Sequence, residues 1–468
     1  MKRVAIIGGG VSGLAAAFCL EQARRSGATV EYQLFEAGSR LGGVLLSERV
    51  DDCVVEAGPD SFLTEKTWAA DFCREIGIGD QLIGSNDSAR KTYILRNGRL
   101  VPMPDGLMFM VPTKILPVVA SSLFSFSTKL RMAREWFHPV SKPDGDESVA
   151  ALVERHYGRE MVDRLVDPLL SGVYGGDAKH LSLRAVLPRF AEMEANSGSL
   201  GKAMLAARKK APGGAPKPLF TTLKGGMQQI SDAMVKQLPP ASVRCGVTVE
   251  ILRPGADIWT VVAGSETSLF DGVIVAVPAQ SAARILQGVS NGLANELRGI
   301  EYSSSVTVAL GYGPEVRKAL PPGFGFLVPR SEGKRMMAAT FVHNKFDHRA
   351  PADRALVRCF LGGSQDERVL DISETEISGI VRDELREILG ITAEPLFSRV
   401  NKWREAMAQY TVGHLDRLQR IEALRLKFVT LALAGNAYRG IGVPDCIRSG
   451  REAALQIMSV LGAVPVSA

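Results

Sequence analysis

Residues 2–43 read KRVAIIGGGVSGLAAAFCLEQARRSGATVEYQLFEAGSRLGG. Residues 3–7 are a short β-branched run suited to a buried parallel strand. They lead into Gly8, Gly10 and Gly13 at G-x-G-x-x-G spacing, after which helix formers continue to Gln22. The pattern predicts strand, turn and helix. The first glycine takes the tight bend, the second admits a pyrophosphate to the backbone, and the third lets the helix pack on the strand. Gly8, Gly9, Gly10, Val11, Ser12 and Gly13 are therefore the expected phosphate cradle, faced by the helix's first N–H groups and its positive end. A second predicted strand, residues 30–35, ends in Glu36, where a carboxylate can accept hydrogen bonds from ribose hydroxyls. Its charge opposes a 2′-phosphate, which argues against NADP. The bland alternative is a glycine-rich turn in an ordinary α/β domain; strand, helix and acidic residue in register favour a dinucleotide site.

Composition bounds what surrounds this site. A chain of 468 residues has room for about three domains, and its 46% hydrophobic content is that of a folded globular protein. The 56 basic residues are interspersed with 50 acidic ones, and no long basic run appears, so the net charge of +6 does not indicate nucleic acid. It fits an anionic substrate or an anionic membrane surface. Cys19, Cys53, Cys73, Cys245, Cys359 and Cys446 are far apart with no C-x-x-C, the pattern of reduced core thiols in a reducing compartment. The histidines show no metal-ligand spacing, so no metal site is expected. The first predicted strand begins at Arg3, so no signal peptide is expected, and no apolar run is long enough for a membrane span.

Past Glu36 the chain continues Ala37-Gly-Ser-Arg40-Leu-Gly42-Gly43, placing a cation and two more glycines beside the acidic residue. This extension resembles the flavoprotein family that includes amine oxidases, phytoene desaturases and protoporphyrinogen oxidases. The resemblance implies FAD, with Ala37 among its contacts, Arg40 over the phosphates, and Gly42 and Gly43 letting the backbone pass close. Residues 54–60, VVEAGPD, resemble the segment that passes beside the isoalloxazine ring in that family, which implies contacts from Ala57, Gly58, Pro59 and Asp60. As a bare motif Gly-Pro-Asp is a turn signal. Residues 61–83 are predicted helical, and residues 93–102 form a hairpin around Asn97-Gly98.

Residues 106–140 are dense in Met, Phe, Leu and Val, but Pro112, Lys114 and Pro117 break them into short pieces. Ser127 is the expected cap of a helix over residues 129–137, with Leu130, Ala133 and Phe137 on one side and Lys129, Arg131 and Arg134 on the other. Two readings stand: a monotopic membrane contact, or a helical lid on the protein's own core. Farther on, PLLSGVYGGD at residues 168–177 with Leu181-Ser182, GPDSFL at 58–63 and PTKI at 112–115 closely resemble the protoporphyrinogen oxidase family. There this loop borders the tetrapyrrole, which implies substrate contacts from Gly172, Val173, Tyr174 and Gly175. Glycines beside a flat macrocycle avoid side-chain collision, although a helix C-cap and turn would also explain them.

Residues 196–218, including PGGAPKP at 212–218, read as a breaker-rich connection. Residues 224–227 open a helix, while 243–250 and 272–278 read as strands; the resemblance places the Val247 backbone against the adenine. The β-rich runs 302–313, 323–329, 336–342 and 356–363 predict an antiparallel sheet. In the relatives this sheet floors the substrate cavity, making Phe326, Leu327 and Phe341 candidate ring contacts; the alternative is plain core. A capped helix is predicted from Ser373 to Leu389, and Trp403 sits against the flavin by resemblance. Near the C-terminus a strand ends at Gly435-Asn436. Gly442, Val443 and Pro444 then open a helix whose N-terminus can face the flavin carbonyls or pyrophosphate.

The expected fold is α/β: a discontinuous Rossmann-like FAD domain (1–80, 201–285 and 425–468), an α+β substrate domain (81–105 and 286–424) and a helical insertion (106–200). The resemblance implies an FAD-dependent oxidase that turns protoporphyrinogen IX into protoporphyrin IX with oxygen as acceptor, the alternative substrate being coproporphyrinogen III. No general base stands out, and the protein is expected to act mainly by positioning the ring. One departure is clear: mitochondrial and plastid relatives carry an arginine where this chain has Thr92, leaving Arg90 and Lys91 as the nearby cations for a propionate. Rival readings are an amine oxidase or carotenoid desaturase, which predict a different loop at residues 172–177. A flavin-free binding protein of the Rab GDP-dissociation-inhibitor kind is opposed by the Arg40-Leu-Gly-Gly and C-terminal motifs. A cytoplasmic monomer or homodimer is expected, peripheral on the cytoplasmic membrane face under the first reading of 106–140.

Overall fold

Lys2–Ile7 is the middle strand of a five-stranded parallel sheet, ordered Val243–Cys245, Val30–Glu36, Lys2–Ile7, Gly272–Val275, Leu431–Leu433. The computed structural model describes residues 1–141, 145–210 and 217–463. Val4, Ala5 and Ile6 are wholly buried, as a parallel strand with both faces covered requires. One face packs on helices Val11–Arg25 and Val443–Leu461. The other packs on a meander of Val249–Pro254, Trp259–Ala263 and Glu266–Phe270, where Phe35 meets Phe270 edge to face. The sheet thus gathers strands from the beginning, middle and end of the chain, which brings distant loops to the carboxyl ends of its strands.

A seven-stranded sheet stands beside it, ordered Phe397–Ala408, Tyr302–Tyr312, Ala355–Gly362, Met336–Phe341, Gly325–Leu327, Thr92–Arg96, Arg99–Pro102. It is mixed rather than purely antiparallel, because Gly325–Leu327 runs parallel to Thr92–Arg96. The Asn97-Gly98 hairpin is present, with both residues at positive φ. Residues opposite one another across a sheet share a face. The register Ile94, Leu327, Ala338, Phe360, Thr307 is therefore one face, and Tyr93, Phe326, Ala339, Cys359, Val308 the other. The second face packs on helix Glu374–Leu389, capped by Ser373, whose side chain accepts from the Glu376 N–H.

Several local expectations change. Residues 61–83 hold one α-helix, Trp68–Glu75, and a short 3-10 turn, Gly79–Gln81, because Phe62–Leu63 and Leu82–Gly84 pair with Phe220–Leu223 and Gly77 takes positive φ after the helix. Residues 243–250 break into two strands at Gly246, which takes positive φ. In the connection 196–218, residues Leu200–Lys210 are a helix; residues 211–216, with most of the Pro-Gly stretch, lie outside the described residues. The helix expected at 129–137 is Phe126–Glu135, capped by Ser125 rather than Ser127. Its buried side is Thr128, Met132 and Glu135, so Leu130 and Phe137 face outward. Among the described residues no helix is long and apolar enough to cross a membrane, and all six cysteines are free.

Candidate active site

The glycine turn after the first strand is built by contacts that distinguish its members. Gly8 has φ +105, and its N–H donates to the Phe35 carbonyl at 2.8 Å. A Cβ on Gly13 would overlap the Gly8 carbonyl oxygen, so this glycine sets helix against strand. A Cβ on Gly10 would meet nothing within 4 Å. Gly10 borders open space at the start of a helix with no side-chain cap and no acidic residue in its first turn. The helix end is left free to hold an anion there. Val11 and Ser12 are buried behind it, and Ser12 Oγ donates to the Cys446 carbonyl at 2.9 Å.

Glu36 stands at the edge of this space. Its carboxylate accepts from the Gly9 N–H at 2.6 Å and the Gly38 N–H at 2.7 Å, while its carbonyl accepts from the Val247 N–H at 2.9 Å. Ala37 beside it is exposed. Gly42 donates to the Gly9 carbonyl at 2.8 Å, and a Cβ on Gly43 would lie 3.2 Å from Gly10 Cα, so the two glycine-rich turns touch. Arg40 is bound to carbonyls of its own loop, those of Leu41 at 2.9 Å, Leu45 at 2.8 Å, and Gly43. It therefore staples the loop, a role beyond the phosphate contact that the resemblance implies.

The last helix arrives from the opposite side. A Cβ on Gly450 would overlap the Ser12 carbonyl, which is how closely the two helices cross. Gly442, Val443 and Pro444 start this helix beside Asp445, which is buried and paired with Lys66 at 2.6 Å. Gly435 has φ +131 with nothing near a would-be Cβ, and Asn436 is held at both ends, by the Ala406 carbonyl and the Tyr410 hydroxyl. Between the two sheets, the Ala57 carbonyl accepts from Trp403 Nε1 and Thr307 Oγ1, both at 2.8 Å, and Arg358 reaches the Ala57 and Gly58 carbonyls. Beside Pro59, burial pushes the Asp60 carboxyl upward, but Lys345 at 3.1 Å and Arg358 outweigh it and hold Asp60 well below the usual carboxylate range. Open space at Gly10, an uncapped helix end, a carboxylate at the second strand's tip and a hydrogen-bonded Ala57–Gly58 ledge fit one long dinucleotide carrying a flat ring system.

The chain matches the model of the flavin-containing amine oxidoreductases over residues 11–458. It belongs to that family, and FAD is its cofactor. It is 34% identical to the coproporphyrinogen III oxidase of Bacillus subtilis strain 168, covering 98% of each chain. It is 29% identical to the mitochondrial protoporphyrinogen oxidase of Nicotiana tabacum, covering 99% of this chain and 96% of that one. A crystal structure from Exiguobacterium sp. 255-15 superposes with a TM-score of 0.88 at 28% identity, covering 98% of this chain and 99% of that one. The protein is accordingly an oxidoreductase with the resemblance its motifs carry.

The substrate candidates divide. Helix Asp167–Tyr174 stands over the first face of the mixed sheet: a Cβ on Gly172 would lie 3.8 Å from Leu327, and Val173 is exposed. Gly175, at φ +60, closes the helix, and its carbonyl accepts from the Ser364 N–H at 2.8 Å. Tyr174 is pinned through its carbonyl to Gln409 at 2.7 Å, and burial pushes its phenol up to about 12. Arg330 fastens the same helix to the sheet by gripping Asp167 at 2.8 Å and Asp177 at 3.1 Å. Phe326 and Phe341 are corrected: both are buried on the other face, in the core with helix Glu374–Leu389. Lys91 lies over the Tyr93 ring, on that same wrong face, and Arg90 is exposed and paired with Asp87. Phe360 and Thr307 share the face of Leu327 and escaped the sequence reading, because alternation along a strand does not tell which face looks at the cofactor.

Proposed function

We propose that this protein is an FAD-dependent oxidase of coproporphyrinogen III, with protoporphyrinogen IX, the first expectation from the sequence, as the competing substrate and oxygen as electron acceptor. Bound FAD supplies the two-electron acceptor for each round of ring oxidation. The protein's part is positional. Trp403, Thr307 and Arg358 fix the Ala57–Gly58 ledge, Arg330 holds helix Asp167–Tyr174 over the sheet, and Leu327 and Phe360 present an apolar floor. The carrying observation is Thr92. It lies two residues from Ile94 and so shares its face, and the family resemblance implies an arginine at this position in mitochondrial and plastid relatives; here the cations on that face are instead Arg96 and Arg358. The bacterial relative at 34% identity carries the coproporphyrinogen name, which supports the same choice. Aerobic turnover of both porphyrinogens, read by porphyrin fluorescence, is expected to show kcat/KM at least about tenfold higher for coproporphyrinogen III, or about 1.4 kcal/mol. A preference for protoporphyrinogen IX would overturn the assignment.

We also propose that the segment 106–140 docks on a membrane surface. Ile115, Leu116, Phe126 and Phe137 are 77%, 82%, 81% and 80% exposed, an apolar patch accompanied by Lys114, Arg131 and Arg134 on the surface. A lid closing on the protein's own core would have buried them. Phe124, by contrast, is 3% exposed and belongs to the core, so it is no probe of docking. Liposome flotation should show at least a tenfold lower bound fraction for Leu116→Asp with Phe126→Asp, at unchanged flavin content; equal flotation would return the segment to the lid reading.

A further inference from the structure

Behind the exposed apolar patch lies an open cleft of about 490 Å³, lined in part by Leu130, Arg131, Arg134, Glu135, His138 and His156. Its walls carry charge in an unequal way. The acidic residue in its lining, Glu135, and Glu194 behind His156 are both engaged inside the protein. Glu135 takes the His156 ring at 3.1 Å, Ser199 Oγ at 3.0 Å and the Leu200 N–H at 2.5 Å. Glu194 takes Arg155 at 2.8 Å and the other His156 nitrogen at 3.0 Å. Burial works against ionising both carboxyls, yet these bonds outweigh it and hold both below the usual range. Arg131 and Arg134, at the rim, have no carboxylate partner among the described residues. Arg131 is also seated: it lies over Gly158, where a Cβ would sit 3.0 Å from its Cδ and 3.3 Å from its Nε, and Gly158 takes φ +87.

His138, His156 and Glu194 place potential ligand atoms within 4.8 Å of one another. The arrangement is not that of a metal centre. The two imidazoles are stacked at 4.1 Å between centroids and 25° between planes, so their in-plane lone pairs run side by side instead of converging. Both nitrogens of His156 are, besides, already committed to carboxylates.

We infer that the Arg131–Arg134 rim of this cleft binds the phosphodiester of an anionic phospholipid. Two unpartnered guanidiniums offer forked donors matched to phosphate oxygens. Exposed Phe126, Leu130 and Phe137 beside them would lie at acyl-chain depth when the headgroup is in the cleft. Glu135, the acidic residue in the cleft's lining, is already committed to His156, Ser199 and the Leu200 N–H. A second copy of this chain is a poorer occupant, because a two-fold contact through this face would press cations against cations. Inorganic phosphate shares the oxyanion chemistry but leaves the apolar flank uncovered. The inference deepens the membrane-docking reading and rests on it for its setting.

The test uses the full-length holoprotein with three probes: a soluble phospholipid, inorganic phosphate titrated in the same way, and vesicles. Dihexanoylphosphatidylglycerol, below its micelle concentration, is titrated against the parent, the Arg131→Gln, Arg134→Gln variant, and an Arg253→Gln, Lys318→Gln control. Vesicles of phosphatidylcholine with and without phosphatidylglycerol are floated in parallel. Expected are saturable binding of the soluble lipid by parent and control, at least tenfold weaker binding by the Arg131, Arg134 variant, and flotation of the parent that rises with phosphatidylglycerol. Equal binding of the soluble lipid by all three proteins overturns the pocket. So does binding of inorganic phosphate as tight as that of the lipid. Flotation indifferent to phosphatidylglycerol, with no binding of the soluble lipid, overturns the pocket while leaving membrane docking standing. Self-association through this face, abolished by Phe126→Asp, would overturn both.

Discussion

Gly10→Val should give a folded protein that purifies colourless, whereas Gly13→Val should give little soluble protein at all. The two glycines belong to one motif but meet different surroundings. A side chain at Gly10 enters open space at the uncapped end of helix Val11–Arg25, where the dinucleotide phosphates approach. A side chain at Gly13 collides with the Gly8 carbonyl and forces the helix off the central strand. The expected flavin content of Gly10→Val, read from the ratio of visible to protein absorbance, is below about a tenth of the parent's, since a lost phosphate contact of 1.5 kcal/mol or more already lowers affinity tenfold. Normal far-UV circular dichroism should accompany it. A fully yellow Gly10→Val protein would remove the phosphate site from this turn.

Arg349→Met should destabilise the protein by about 3–5 kcal/mol, and adding Glu56→Gln should restore most of that loss. Arg349 and Glu56 are 1% and 5% exposed and meet at 2.7 Å. Glu56 also accepts from the Met227 N–H at 2.7 Å and Ser47 Oγ at 2.6 Å, and Arg349 reaches Thr222 Oγ1 at 2.5 Å. One ion pair therefore ties the 53–56 strand, the helix after Met227 and the segment entering strand Ala355–Gly362, immediately before the Ala57–Gly58 ledge. Removing the cation strands a buried carboxylate; converting that carboxylate to an amide removes the charge and keeps the acceptor for Met227. Urea denaturation of the three proteins reads the difference. A neutral Arg349→Met would show that water reaches this pair.

What the residues determined unaided is the geometry of the glycine-rich strand-turn-helix unit. Gly8, Gly10, Gly13 and Glu36 act through backbone geometry within one strand-turn-helix unit, and such local rules can be read off a single stretch. The hairpin at Asn97-Gly98 and the cap at Ser373 were legible for the same reason. Motif resemblance marked residues 172–175 as well, and in the fold Gly172 lies over Leu327.

Tertiary structure alone decided which side of each strand faces the Ala57–Gly58 ledge and helix Asp167–Tyr174. Phe326 and Leu327 are neighbours in sequence and point to opposite faces, so a correctly placed strand still left Phe326 and Phe341 in the wrong core and Phe360 unnoticed. Likewise, the helix at 126–135 was legible as amphipathic, but not which side it buries: Thr128, Met132 and Glu135 go inward because His156, Ser199 and Leu200, far along the chain, supply partners for Glu135. Periodicity fixes spacing along an element, whereas the direction of burial depends on contacts that only the assembled chain brings together.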